Sequence, residues 1–332
     1  MITLGIETSC DETSVALLSN GDIVANEIFT QALHSLYGGV VPELASRAHL
    51  NKVDILAESV LRDHNICPRS LDCIAVTDSP GLAGALLVGI SFALGLHCQH
   101  GNKITGINHL EGHICSLFCA NPDLSCPFLA LIVSGGHTAI YRVDDFARYT
   151  CLGSTVDDAA GEAFDKVGKL LGFPYPAGRA VEQEAVAAAP GPAIPFPVAR
   201  CAGQRLDFSF SGLKTAVKYY CMEKGADWVA QNRAEICFSF QKALVDSLAR
   251  NLLLAAEQTG IRTVGVAGGV ACNGELRRTL NTIFGDKISF PPPSLCTDNA
   301  AMIARAGYER LRRGMLRFPH MSPSLGIEQQ RA

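Results

Sequence analysis

Charge is scarce in this chain, and none of it is in excess on the positive side: charged residues make up 18% and the formal net charge is −4. A protein that grips nucleic acid over its whole surface needs the opposite balance, so any contact with RNA must be local or shared with a basic partner. Long hydrophobic runs are missing too. No apolar stretch reaches the roughly 20 residues of a bilayer-crossing helix, and the best candidate, residues 81 to 97, is interrupted by four glycines and reads as a buried helix. The 13 cysteines are odd in number, scattered and without paired CxxC spacing. That excludes a disulfide framework and a zinc ribbon, and suggests mostly small buried hydrophobes in a reducing compartment. The opening MITLGIETS has no basic head, apolar stretch and cleavage site, so no secretory leader is expected and a cytoplasmic location is.

What is plentiful is apolar side chain, 48% of 332 residues, which rules out disorder. That length exceeds what a single growing core accommodates, so two lobes are expected. Residues 2 to 8, 14 to 19 and 22 to 30 read as strands, the last two joined by a Ser-Asn-Gly turn. A long helical pattern runs from Val41 to His64, followed by a strand ending in TDSPG, the apolar helix, a strand at Ile104 to Ile107, and another helix. This order describes a mixed α/β lobe. The pattern then restarts: LALIVSGGHTAIYRV at 129 to 143 repeats the strand, small-residue turn and strand of LGIETSCDETSVALL at 4 to 18. A helix from Asp157 to Leu171 precedes a Pro, Gly and Ala-rich stretch from Phe173 to Gly203, read as an insertion or mobile loop. Helices follow at 234 to 259, then strand, glycine turn and helix in TVGVAGGVACNGELRR, and a last helix from near Thr297.

In NHLEGHI, His109 and His113 are four apart on a helical pattern, so both imidazoles lean over one face and could share a metal ion. The zinc-protease motif HExxH needs Glu directly after the first His, and here Leu110 stands there. Glu111 lies about 200° around the helix from His109 and cannot serve the same metal face. Two unrelated helix histidines would show the same spacing. Asp298, where a helix starts, would complete a two-histidine, one-carboxylate site, or simply cap that helix.

Three turns, in GIETSCDET, VSGGHT and AGGVACNG, share one design in which an apolar strand runs into small or polar residues. Glycine lets backbone N–H groups approach an anion, and three such turns in two repeated lobes point to a bound nucleotide. In the first turn Asp11 and Glu12 are carboxylates that could hold metal, orient a nucleophile or cap the turn. Asp165, four residues after Gly161, suits a ribose hydroxyl or a solvated helix face. Ser209, Ser211 and Lys214 in DFSFSGLKTAV suggest a loop touching phosphate or RNA. The basic run around Arg310, Arg312, Arg313 and Arg317 reads better as a solvated helix end than as an RNA patch.

With GIETSCDET, YGGVVPELASRAH, HLEGH, LIVSGGHT, DDAAGEAFDKVGKLLG, DFSFSGLKT, GGVACN and CTDNAAM in one order from residue 2 to 314, the chain resembles the tRNA N6-adenosine threonylcarbamoyltransferase family. These are the bacterial TsaD proteins, once described as O-sialoglycoprotein endopeptidases. The resemblance implies an α/β fold of two similar actin-like ATPase (ASKHA, RNase H-like) lobes with a nucleotide and metal cleft between them. It implies a first lobe at 1 to 108, onto which a C-terminal helix at 300 to 332 packs back, and a second at 109 to 299 with an insertion around 173 to 215. The implied activity passes the threonylcarbamoyl group of L-threonylcarbamoyladenylate to N6 of adenosine 37 in tRNAs reading ANN codons, releasing AMP. By the same resemblance His109, His113 and Asp298 bind one divalent metal, Fe2+ or Zn2+, and Ile132, Val133, Ser134, Gly135, Gly136, Asp165, Gly178 and Asn273 bind the substrate. A TsaB-like paralogue and a TsaE-type ATPase are implied partners, with a TsaC-type enzyme supplying the adenylate. The chain departs from the family's YPGGP pattern in reading YPAGRAVEQ, with Ala177, Arg179 and Glu182. Two other expectations compete: a metal-dependent glycopeptidase, and a non-catalytic nucleotide-binding scaffold.

Overall fold

The computed structural model describes residues 1–188, 191–198 and 206–327, and the chain forms two compact units, Met1–Leu124 with the stretch from Pro291 onward, and Ser125–Phe290. The first unit opens with strands β1 (Ile2–Glu7), β2 (Glu12–Ser19) and β3 (Asp22–Thr30), then helices α1 (Pro42–Leu50) and α2 (Val53–Asp63). It continues through β4 (Cys73–Ser79), α3 (Ala83–His100), β5 (Lys103–Asn108) and α4 (His109–Ala120). The second unit holds β6 (Phe128–Val133), β7 (Thr138–Asp145), β8 (Arg148–Ser154), α5 (Ala160–Leu170), α6 (Gly178–Val186), α7 (Ser211–Lys224), α8 (Ala226–Gln231), α9 (Arg233–Thr259), β9 (Val264–Ala267), α10 (Gly274–Phe284) and β10 (Ile288–Ser289). The chain then returns to the first unit with α11 (Pro293–Cys296) and α12 (Ala300–Arg313).

The two sheets repeat one topology. The first runs β3-β2-β1-β4-β5 and the second β8-β7-β6-β9-β10. In each, the opening three strands form an antiparallel meander and the remaining two add in parallel. The duplicated lobes expected from the strand and turn repeat are therefore present. The β2–β3 hairpin closes on Asn20 and Gly21, at φ 53° and 94°, the positive values a two-residue turn between twisted strands requires.

The expected helix from 41 to 64 is broken in two, because Asn51 ends α1 and α2 restarts at Val53. One face of the first sheet buries Leu4, Ile6, Val15 and Leu17 against Val53, Ala57 and Val60 of α2 and Leu86, Ile90 and Ala93 of α3. By length and composition α3 would pass as a membrane span, contrary to the expectation that no run is long enough. The other face packs Ala16 and Leu18 against Ala300, Ala301 and Ala304. Small residues allow that close approach. A Cβ added to Gly5 would collide with Ala300 O and Ala304 Cβ, so α12 can lie on β1 only because both surfaces are nearly flat.

The boundary expected at 108/109 is displaced. Helix α4 packs on α12 and stays with the first unit, joined to it by the buried pair Glu111–Arg310, 2.8 Å apart. The C-terminal basic run is a solvated helix end only at Arg312 and Arg313, which are exposed, and not at Arg310 and Arg317. Arg310 is 3% exposed, Arg312 and Arg313 reach Glu309, and Arg317 makes two 2.7 Å bonds to Asp78. The cysteines also differ from expectation: of the twelve in the described residues, none is in a disulfide and only Cys73, Cys115, Cys221, Cys237 and Cys296 are buried.

Candidate metal centre and glycine turns

Strands β1, β4 and β5 end side by side, since Ile6 pairs with Val76 and Ser79 with Asn108. Ligand sites in α/β sheets gather beyond such carboxyl ends. Asn108 ends β5, and its side-chain oxygen accepts a 2.9 Å bond from Leu110 N–H, capping α4 so that the helix begins at His109 itself. The two imidazoles then sit one turn apart with ring centroids at 4.6 Å.

Asp298 arrives from the far end of the sequence because α12 lies on β1. The cap of that helix is Asn299, whose Oδ1 accepts from Met302 N–H, not Asp298 as the sequence allowed. The Asp298 carboxylate is thus turned to the histidines, its Oδ1 3.4 Å from His109 Nε2 and 3.2 Å from His113 Nε2. The three ligand atoms lie within 4.8 Å of one another.

The chemistry of this donor set fits a cation. His113 is wholly buried, its Nδ1 has no hydrogen-bond partner among the described residues, and its Nε2 faces Asp298 Oδ1 at 3.2 Å. Two buried imidazole nitrogens and a carboxylate oxygen converging on one point are the donor set a cation takes. Two imidazoles and one carboxylate leave coordination positions open for substrate.

Burial works against charging His109, but Asp298 and Glu7 outweigh it and hold its pKa well above 6.5. Burial pushes His113 the other way, below 6.5. For Asp298, burial is overcome by the charge and hydrogen bond of His109, leaving the carboxyl well below its usual range. Burial, then Asp298 and Asp11, push the Glu12 carboxyl up to about 10.

The sequence reading missed Glu7. It ends β1 fully buried, its Oε1 accepting from Ser9 N–H at 2.6 Å and its Oε2 from Thr77 O–H at 2.6 Å, with His109 Nδ1 at 3.2 Å. A carboxylate closing the apolar run ITLGIE was the signal for it.

In the second unit β6 and β9 are parallel neighbours, Ile132 beside Ala267, so the turns of VSGGHT and AGGVACNG emerge together. Ile132 and Val133 are wholly buried and can offer only backbone. Ser134 O accepts from Gly161 N–H at the start of α5. Gly135 and Gly136 are exposed, have no positive φ, and a Cβ on either would meet nothing within 4 Å. Neither packing nor backbone conformation within the unit calls for glycine there.

Other expected site residues are engaged in the fold itself. Asp165 Oδ1 accepts from Ala177 N–H at 2.7 Å, just before Gly178 opens α6. Asn273 caps α10 and donates to Gln241 Oε1. In the departing YPAGRAVEQ segment, Ala177 is buried, Arg179 is exposed and Glu182 Oε1 accepts from Gly274 N–H at 2.6 Å. Asp157 gathers Ser209 and Ser211 hydroxyls with Phe210 N–H, and Lys214 pairs with Asp158, so that loop is tied down internally.

The sequence model of the TsaD family, described as tRNA N6-adenosine threonylcarbamoyltransferase, matches residues 22–305. The chain belongs to this family. A tRNA N6-adenosine threonylcarbamoyltransferase of Geobacter metallireducens is 47% identical over 321 residues, covering 95% of this chain and 93% of that protein. One of Thermotoga neapolitana is 43% identical, covering 98% and 100%. Among solved structures, the activator of 2-hydroxyisocaproyl-CoA dehydratase from Clostridium difficile with bound ADPNP superposes with a TM-score of 0.56 at 14% identity, over 95% of this chain and 97% of that one. A ROK family protein from Streptococcus pneumoniae gives 0.54 at 13%, over 95% and 99%. At those identities the likeness concerns the fold, and the TsaD-family chain has the actin-like ATPase architecture of paired lobes.

Proposed function

We propose that this chain transfers the threonylcarbamoyl group of L-threonylcarbamoyladenylate to N6 of adenosine 37 in tRNAs reading ANN codons. The N6 nitrogen bonds to the carbamoyl carbon, the bond from that carbon to the phosphate oxygen breaks, AMP leaves, and the nitrogen gives up one proton. The observation that carries the reading is the convergence of His109, His113 and Asp298 in a chain 47% identical over 321 residues to a relative bearing that name.

His109, His113 and Asp298 would hold one divalent ion, iron or zinc, which when bound supplies a Lewis acid for a carbonyl or phosphoryl oxygen. The open backbone at Gly135 and Gly136, with Ser134 and the main chain of Ile132 and Val133, suits close approach of the adenylate. Asp165, Gly178 and Asn273 are the further substrate contacts in this reading. The adenosine amine is a weak nucleophile, so holding the reacting atoms together provides most of the acceleration. Asp11 and Glu12, the carboxylates of the first turn, are the candidate proton acceptors, and burial with Asp298 and Asp11 nearby raises the Glu12 carboxyl. The glycopeptidase alternative loses support: Leu110 stands where the catalytic Glu would be, and Glu111 pairs with Arg310.

A TsaB-like paralogue, a TsaE-type ATPase and a TsaC-type supplier of the adenylate complete the proposed cytoplasmic system. A protein partner is favoured by the exposed apolar side chains Leu50 (65%), Ile55 (55%) and Leu87 (53%) in the first unit. The test is reconstitution with the pure adenylate, tRNA and those partners, read by mass spectrometry of nucleosides. Wild type should form threonylcarbamoyladenosine and His109→Ala should not. Undiminished product from His109→Ala would remove the metal from the mechanism, and none from wild type would favour the scaffold alternative.

A further inference from the structure

The histidines of the metal centre are supported unequally. His113 Nδ1 has no hydrogen-bond partner among the described residues, whereas His109 Nδ1 lies 3.2 Å from Glu7 Oε2 and 3.2 Å from Ser9 Oγ. A hydroxyl can give or take a proton and leaves the tautomer open. Glu7 does not. Its Oε1 is engaged by Ser9 N–H, a donor that cannot reverse, and its Oε2 faces Thr77 O–H and His109 Nδ1 where the side chain is 0% exposed, an arrangement in which three donors converge on an ionised carboxylate. As a carboxylate it only accepts, which puts the imidazole hydrogen on Nδ1 and the lone pair on Nε2, the nitrogen that faces Asp298.

We propose that Glu7 is the positioning residue of the metal centre: it fixes the Nδ1–H tautomer of His109 and so commits Nε2 to the ion. Outer carboxylates of this kind orient histidine ligands and raise their basicity, and losing one costs about 10–100-fold in metal affinity. Glu7 is itself held from two elements, Ser9 of the first turn and Thr77 of β4, so the three strand ends are tied to a single ligand ring. The isosteric amide cannot substitute. With its NH2 toward Ser9 N–H two donors collide. With its NH2 toward His109, the imidazole must turn its lone pair to the amide and its hydrogen to the ion.

The inference rests on the metal-site reading above, and the experiment separates the two. Zn2+ affinity is measured by chelator competition on full-length wild type, Glu7→Gln, Thr77→Val and His109→Ala, together with the melting temperature of each metal-free protein. Long-range 1H–15N spectra of the zinc-loaded wild type report the His109 tautomer. Expected are one tightly bound zinc in wild type, its loss in His109→Ala, an Nδ1–H signal for His109, and about 10–100-fold weaker binding by Glu7→Gln at a temperature where its metal-free form is still folded. Thr77→Val, which keeps the carboxylate but removes one anchor, should fall between. Zinc binding by Glu7→Gln or Thr77→Val equal to wild type, or an Nε2–H signal, overturns the role of Glu7 and leaves the metal site standing. Wild type that binds no zinc overturns both.

Discussion

Arg310 carries a full charge into the first unit, where it pairs at 2.8 Å with Glu111, itself wholly buried. Removing one partner strands the other charge in a poorly solvating interior, which costs about 3–5 kcal/mol. Arg310→Met should therefore destabilise strongly in denaturant unfolding, while Arg310→Met with Glu111→Leu should recover most of the loss. A second buried group responds to pH. His49 Nε2–H donates to Cys10 O at 3.0 Å and Nδ1 accepts from Thr13 O–H at 2.8 Å, which is a neutral ring. Burial lowers its pKa below 6.5 despite nearby Glu7 and Asp11, so the unfolded chain takes up the proton first. Its contribution is complete above pH 6.5 and is lost as pH falls below that value. Melting temperature followed from pH 8 to pH 5 should show this decline, reduced in His49→Gln. At this scale the sequence displayed the four-residue histidine spacing, because helix geometry alone brings those rings together. Glu7 showed only as a carboxylate closing an apolar run, and its partner His109 was hidden because nothing local reveals that β1 and β5 end at the same height.

Among the elements, α12 decides where Asp298 lies. Gly5→Val would lift it from β1, and overpacking of this kind costs about 1–3 kcal/mol; zinc binding should fall with it, read in the same competition assay. Asn108 ties α4 from both directions, capping Leu110 N–H while its amide donates to Leu325 O at 3.0 Å. Asn108→Ala should cost about 1 kcal/mol for the cap alone. The strands of both sheets were readable because they are near-continuous apolar runs, and the duplicated strand–turn–strand disclosed the second sheet. The break at Asn51 was not readable, since Asn-Lys is a weak stop inside a pattern that stays apolar on one face. The segment after Phe173 was expected as a loop or insertion, yet Val181 and Ala185 bury one face of α6 there. The expected stretch from 199 to 203 lies outside the described residues.

For the whole molecule, the decisive fact is that all three metal donors belong to one unit. An ion present at about 100 times its dissociation constant stabilises what binds it by about 2.7 kcal/mol. Zinc should therefore raise the unfolding transition of the first unit and leave that of the second in place, resolved by calorimetry, and a chelator should reverse it. The family resemblance returned the C-terminal helix to the first lobe, as found, but placed the division at 108/109. It could not foresee that α4 packs on a helix almost two hundred residues later, which is a matter of burial and not of motif order.

That return of the chain has a consequence during synthesis. The second unit is complete when Phe290 leaves the ribosome, whereas the first still lacks the helix that Gly5 was shaped to receive. The second unit can fold while the first waits, and a nascent chain holds two imidazoles without their carboxylate until Asp298 has emerged.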